Sequence, residues 1–280
     1  MKTLGYYNGK IDEIERMTVP MNDRASWFGD GVYDAQMCRN GHIFGLDEHV
    51  ERFFGNAQAL RIEMPVDREG LKALLKDLVA RMDTGDLFVY YQVTRGGGPR
   101  EHSFPVGKGN LWVTLTPRKV NDGLQPIRLI TVEDTRFFHC NLKTLNLIPS
   151  VMASQRAKEA GCQESVFYRP GGRVTEGSHS NVHIIRDGCL YTAPTDNLIL
   201  PGLARKHLLA LCRGELNIPV REEAFTLEDL FGADEVLITS SSALIRRGCE
   251  IDGKPVGCRC PELYARIRGA VMGEYERETR

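Results

Sequence analysis

Lys143 stands among leucines in the run CNLKTLNL (140–147). A lysine amine becomes a nucleophile and a base once deprotonated, and apolar surroundings favour that neutral form. The run therefore fits either a solvated surface lysine or a partly desolvated, reactive one. A second segment, GGRVTEGSHSNVHII (171–185), sets Glu176, Ser178, His179, Ser180 and Asn181 between two apolar stretches. It reads as a decorated hairpin turn, or as a carboxylate held by neighbouring hydroxyls to pair with a protonated ring nitrogen. In YYQVTRGGGPREHSFP (90–105), three glycines permit close approach of backbone to a ligand. Arg100 and His102 alternate after them, so in an extended segment they point the same way. A guanidinium binds both oxygens of a carboxylate at once; the plainer reading is a surface loop. Three further features suit a phosphate. Arg52 lies on a helix whose other face is apolar, ILPGLARKH (199–207) leads a Pro-Gly turn into a helix N-terminus, and LITSSSALI (237–245) ends a strand in hydroxyls.

The elements that must position these residues follow from periodicity. Strands are expected at Leu4–Tyr7 and Val32–Cys38, each ending in an Asn-Gly turn (8–9 and 40–41). In LDEHVERFFGNAQAL, Asp47 is the expected N-cap, and Val50, Phe53, Phe54, Ala57 and Leu60 share one helix face. REGLKALLKDLVARM repeats that pattern, and strands at 87–94 and 111–116 follow. The polar run PRKVNDGLQP marks an interdomain linker, placed at 119–125 between a small N-terminal α/β domain (1–118) and a larger domain (126–280). In the second half, strands are expected at 127–132, 165–168, 182–186, 190–192 and 235–239. Helices are expected at 151–160, 203–216 and from Glu262 onward. This interleaving lacks a regular βαβ repeat. It indicates an α+β fold with a barrel-like second sheet and argues against a doubly wound one.

A formal net charge of −1 over 280 residues gives no support for a nucleic-acid partner or an anionic membrane surface. No stretch approaches the ~20 apolar residues of a spanning helix, and a cytoplasmic protein is the expectation. Eight scattered cysteines, with only Cys258 and Cys260 close together, lack zinc-site spacing and read as free thiols; no metal site is expected. Dinucleotide, Walker, HExxH and GxSxG patterns are absent.

Taken in order, FGDGVYD (28–34), EHVERF (48–53), VTRGGGPREHSFP (93–105), LKTLNLIPSVMASQRAKEAGCQE (142–164) and VTEGSHSNV (174–182) resemble the fold-type IV pyridoxal-phosphate enzymes over the whole chain. Within that family the likeness is greatest to the D-amino acid aminotransferases, through Arg100 with His102 and the Lys-Thr-Leu-Asn-Leu run. The resemblance implies pyridoxal 5′-phosphate as cofactor, held by Lys143 as a Schiff base, and transfer of an amino group between a D-amino acid and a 2-oxo acid. D-alanine and 2-oxoglutarate are the implied pair. It further implies that Lys143 is the catalytic acid–base and that Glu176 pairs with the pyridine nitrogen. Arg52, Ser240, Ser241 and the N-terminus of the helix at Leu203 and Ala204 are implied to hold the phosphate. Ser178, His179, Ser180 and Asn181 lie beside the cofactor by the same token. Tyr33 is implied to lie near the substrate carboxylate, with Arg100 and His102 contributed by the other subunit of a homodimer.

Three positions depart from the family pattern. Ala204 replaces a threonine that often adds a phosphate contact, a loss of ~1 kcal/mol. His179 replaces a small residue, and Leu244 stands where relatives often carry an acid. Two alternatives use the same cofactor: an L-branched-chain aminotransferase, against which Arg100 and His102 argue, and a lyase of the aminodeoxychorismate type. A non-catalytic cofactor-binding protein is disfavoured by the presence of both Lys143 and Glu176.

Overall fold

The structure is a computed structural model and describes residues 2–280. The chain divides into two compact units. One runs to Val120 and takes in Leu142–Asn146 and Tyr275–Arg280; the other comprises Asn121–Asn141 and Leu147–Glu274.

The first unit contains β1 (Leu4–Tyr7), β2 (Lys10–Asp12), α1 (Arg24–Phe28), β3 (Gly31–Arg39), β4 (His42–Ile43), α2 (Leu46–Ala59), α3 (Arg68–Ala80), β5 (Leu87–Thr94) and β6 (Asn110–Pro117). Its strands form one antiparallel sheet in the order β2-β1-β6-β5-β3-β4. Both expected Asn-Gly turns are present. Positive φ at Asn8 and Gly9, and at Asn40 and Gly41, is the backbone twist that two-residue hairpins require. Alternate residues of β5 (Leu87, Val89, Tyr91, Val93) and β6 (Leu111, Val113, Leu115) bury against Phe53 and Ala57 of α2 and Leu71, Leu75 and Leu78 of α3. The helix over EHVERF is capped by Gly45 in the left-handed region, not by Asp47. Asp47 instead lies in the first turn, where its charge complements the helix dipole.

The second unit contains β7 (Ile127–Glu133), α4 (Ile148–Glu159), β8 (Glu164–Arg169), β9 (Arg173–Gly177), β10 (Asn181–Arg186), β11 (Cys189–Thr192), α5 (Leu203–Arg213), β12 (Val220–Glu222), α6 (Leu227–Gly232), β13 (Glu235–Ser240), β14 (Leu244–Ile251), β15 (Lys254–Pro255) and most of α7 (Pro261–Glu278). The nine strands run β12-β11-β10-β13-β14-β7-β8-β9, with β15 added to β14. The last strand in that order, β9, connects to β10 through only Ser178, His179 and Ser180, and the Gly177 N–H donates to the Ser180 carbonyl at 2.7 Å. A strand at one end of the order must therefore lie beside one near the other end, which curls the sheet into a partial barrel. The α+β class with a barrel-like second sheet is thus the observed one. β14 has no counterpart in the sequence reading because Arg246, Arg247 and Glu250 interrupt its apolar alternation. Among the described residues, no helix is long and apolar enough to cross a membrane.

His183 on β10 is fully buried. Its Nε2 lies 2.8 Å from Thr239 Oγ1, and its Nδ1 has no partner among the described residues. Burial, reinforced by the Arg205 guanidinium, pushes its pKa down to about 3. In the unfolded chain it titrates near 6.5, so between pH 6.5 and 3 the unfolded state binds the extra proton and stability falls on acidification. The expected slope is about 1.4 kcal/mol per pH unit in that window. Denaturant midpoints at pH 7.5 and 5.0 should converge in a His183→Gln variant relative to wild type. Equal acid sensitivity in the two proteins would remove His183 as the cause.

Candidate active site

The lysine segment completes an edge in the first unit. Along β3, residues 31–33 have no strand partner on the side away from β5, because β4 pairs only with Cys38 and Arg39. Thr144 bridges Val32 there; the Tyr33 N–H donates to the Lys143 carbonyl at 3.0 Å, and the Leu145 N–H donates to the Gly31 carbonyl at 3.1 Å. Gly31 makes this approach possible, since a Cβ would stand 2.7 Å from Leu145 Cδ1 and 2.6 Å from the Val93 carbonyl. The backbone thus holds Lys143 at both flanks. Its amine lies 4.4 Å from the centre of the Tyr33 ring, which stacks on Tyr90. The surroundings differ from the apolar ones the sequence suggests. Leu145 packs on β3, Leu147 is exposed, and Lys143 itself is half-buried.

Behind Tyr33 in sequence, Asp34 points to the helix side of the sheet and is completely buried. Arg52 binds it through two nitrogens, Nε to Oδ2 at 2.9 Å and Nη2 to Oδ1 at 2.7 Å, and His49 Nδ1 lies 2.8 Å from Oδ1. Burial alone would raise the Asp34 pKa, but Arg52 and His49 outweigh it and hold the carboxyl well below the usual range. His49 is pushed down by burial and further by the Arg52 and Lys143 charges, against the pull of Asp34. Neither Asp34 nor His49 was among the expected site residues. His49 and Arg52, three apart on a helix, share a face, and an acid within the apolar run of β3 was the available signal.

The remaining residues of this unit lie on the loop after β5. Arg100 and His102 are exposed and not in a strand, yet both approach one ring. The Arg100 guanidinium lies 5.4 Å, and the His102 ring 5.3 Å, from the centre of Phe28.

In the second unit, Glu176 lies next to the last residue of β9 and is buried. Its Oε1 accepts from Arg136 Nη1 at 2.5 Å, and its Oε2 from Asn181 Nδ2 at 3.1 Å and from the Leu200 N–H at 2.9 Å. The expected hydroxyl cradle belongs to a different acid. Glu164 on β8 accepts from the Ser178 N–H and Oγ and from Ser180 Oγ, and His179 Nδ1 lies 3.1 Å from its Oε2. Glu164 and Arg136 are far from residues 176–181 in sequence, so spacing carried no hint of either. Arg136 is itself held by Asp134 and stacks on Phe167, and the Asp134 and Glu176 carboxylates push its pKa up against the effect of burial.

Asn181 ties Glu176 to the start of α5. Its amide nitrogen also donates to the Leu200 carbonyl at 2.9 Å, and a Cβ on Gly202 would collide with its Oδ1. Gly202 is the N-cap of α5 and no side chain caps the helix, so the N–H groups of Leu203 and Ala204 begin it without an intrahelical acceptor. Asn181 pairs across β10 and β13 with Thr239, which is followed by Ser240 at the strand end and by Ser241 and Ser242 in the turn. A helix N-terminus without a side-chain cap, a row of hydroxyls and a buried carboxylate are therefore neighbours in one unit.

Residues 31–251 match the family model for amino-transferase class IV. The D-alanine aminotransferase of Bacillus licheniformis is 37% identical over 100% of this chain and 99% of its own length. That of Listeria monocytogenes serotype 4b (strain F2365) is 40% identical over 89% and 88%. Among solved structures, a T.th. branched-chain amino acid aminotransferase, complexed with N-(5′-phosphopyridoxyl)-L-glutamate, superposes with a TM-score of 0.86 at 26% identity, covering 97% of this chain and 94% of that one. The branched-chain enzyme from Escherichia coli, at 24% identity and a TM-score of 0.90 over 100% and 96%, shares the fold. The chain belongs to the class IV amino-transferases, enzymes that work with pyridoxal 5′-phosphate.

Proposed function

We propose that the protein is a D-amino acid aminotransferase that exchanges the amino group between D-alanine and 2-oxoglutarate. The observation that carries the D-specific reading is the convergence of Arg100 and His102 on Phe28, joined to full-length likeness to D-alanine aminotransferases. The donor set suits the cofactor. Leu203, Ala204, Ser240 and Ser241 offer N–H and hydroxyl donors to a phosphate, with Arg52 supplying charge, and the buried acid Glu176 offers a partner to a protonated ring nitrogen. Ser178, His179 and Ser180 support this half through Glu164, and Asn181 through Glu176.

Bound pyridoxal phosphate supplies an aldehyde that captures amines and a ring that takes up the electrons left when a Cα–H bond breaks. Lys143 Nζ would hold the cofactor, and the same nitrogen would take up and deliver the substrate Cα proton. Glu176, held in place by Arg136 and Asn181, would keep the ring nitrogen protonated. Tyr33, whose ring lies 4.4 Å from the lysine amine, would sit near the substrate carboxylate. The protein acts as a homodimer in which Arg100 and His102 of one copy bind the substrate carboxylate in the site of the other; both side chains are exposed in the single chain.

The test is the visible absorbance of the cofactor-loaded protein. D-alanine should bleach it rapidly, while L-valine and L-leucine should not. Bleaching by the L-amino acids alone would transfer the assignment to the branched-chain alternative. An Arg100→Leu variant should raise KM for both D-alanine and 2-oxoglutarate by about 10-fold, the loss of one charge-assisted pair. Unchanged kinetics would place carboxylate binding elsewhere.

A further inference from the structure

Arg24 has no place in the sequence reading. It opens α1 yet is buried, with 3% of its surface exposed. Its guanidinium is shared between an acid and a loop. Nε donates to Asp30 Oδ2 at 2.8 Å. Nη1 donates to the carbonyls of Glu101 at 2.5 Å and Ser103 at 3.2 Å, and Nη2 to that of His102 at 3.5 Å. Three consecutive carbonyls of a segment without regular structure thus accept from one side chain. The same guanidinium lies 4.7 Å from the centre of Phe28, the ring that Arg100 and His102 also approach.

Asp30 fixes Arg24 in turn. It also accepts from Arg95 Nε at 2.9 Å, and Arg95 donates to the carbonyls of Leu60 and Arg61 and covers the Phe104 ring at 3.6 Å. Burial works against an ionised Asp30, but the two arginines prevail and lower its pKa. The beginning of the loop is tethered as well, with the Arg24 N–H donating to the Gly96 carbonyl and the Gly98 N–H to that of Asn22. Residues 99–103 lack such strand pairing, so their path is set by where Arg24 directs its N–H groups. A guanidinium offers five donors in a rigid plane, and an ammonium cannot reproduce that fork.

We infer that Arg24 is a positioning residue, holding Glu101, His102 and Ser103 by their carbonyls so that Arg100 and His102 are preset for a substrate carboxylate. The inference rests on the carboxylate role proposed above for those two residues. Preorganisation of this kind acts on substrate binding, because the ordering of the loop is completed before the substrate arrives. Arg24 touches no reacting atom.

The experiment compares Arg24→Lys with wild type as cofactor-loaded enzyme, in the parent background and in an Arg100→Leu/His102→Ala background. In the parent background, KM for D-alanine and 2-oxoglutarate should rise about 10-fold with kcat within about 3-fold, in keeping with one lost charge-assisted contact. In the double-variant background the same change should add less than about 2-fold, since the groups it positions are gone. An unchanged KM in Arg24→Lys, or a full 10-fold effect in both backgrounds, overturns the inference. Should Arg24→Lys fail to fold, Asp30→Asn loosens the same guanidinium from its anchor and should give the same background-dependent rise; a background-independent effect there overturns it equally. If Arg100→Leu/His102→Ala alone leaves KM unchanged, the carboxylate reading itself has failed, a result distinct from failure of Arg24 alone.

Discussion

Lys143→Ala should leave a folded protein that completes no second turnover, with kcat/KM lower by at least about 10⁴-fold. The size follows from one nitrogen doing two jobs, attachment of the cofactor and movement of the Cα proton. The fold should tolerate the change. The hydrogen bonds that fasten this segment to β3 use backbone atoms of Lys143, Leu145, Gly31 and Tyr33, and the side chain is half-buried over Tyr33. Lys143→Arg sharpens the test because it keeps positive charge and approximate length while substituting a guanidinium, which stays protonated and cannot act as a base. Steady-state rates should be lost in both variants, with denaturant midpoints near wild type. Sustained turnover by either one would remove the lysine from the mechanism.

Asp34→Asn should be the most destabilising single change in the first unit. It leaves Arg52 and His49 buried around a neutral partner, and removing one member of a buried ionic set costs about 3–5 kcal/mol. The pH dependence has a defined sign. The Asp34 carboxyl is held below its ordinary value in the folded state, so its contribution is present above the unfolded pKa near 4 and is lost only in strong acid. Acidification from pH 8 to 5 therefore leaves this contribution intact, while the buried histidines weaken the fold in the same interval. Urea unfolding at pH 7.5 measures the loss. A midpoint within experimental error of wild type would mean that the Arg52 guanidinium is accommodated without its acid. The variant should also bind pyridoxal phosphate less tightly, because Arg52 no longer keeps a fixed orientation.

Hairpins and long amphipathic helices were legible because their signals are local. The Asn-Gly turns, the alternating faces of β5 and β6, and the apolar stripe through Val50, Phe53 and Ala57 all appear where periodicity places them. What escaped is carried by partners distant in sequence. Sequence proximity ties the hydroxyls of Ser178 and Ser180 to Glu176, whereas in the structure both bond Glu164, which is distant in sequence. Arg24, Asp34 and Arg136 each make ion pairs that a one-dimensional pattern does not encode. Conversely, the leucine-rich run around Lys143 gives no hint of the Tyr33 ring that lies against its amine.

The tight connection between β9 and β10 bears on how this protein must fold. Glu176 and Asn181 are five residues apart, yet their strands are linked through the sheet only by way of β8, β7, β14 and β13. One pairing on that route, the parallel contact of β7 with β14, joins Leu129 to Ile251 across 122 residues of chain. Pairings of such long range form slowly because loop closure precedes any reward from the contact. The 176–181 turn forms locally and early, but the position of its carboxylate relative to β13 is settled only when the C-terminal strands arrive. A nascent chain that ends before Ile251 thus holds Glu176 and Asn181 without the closed sheet that sets their strands in register.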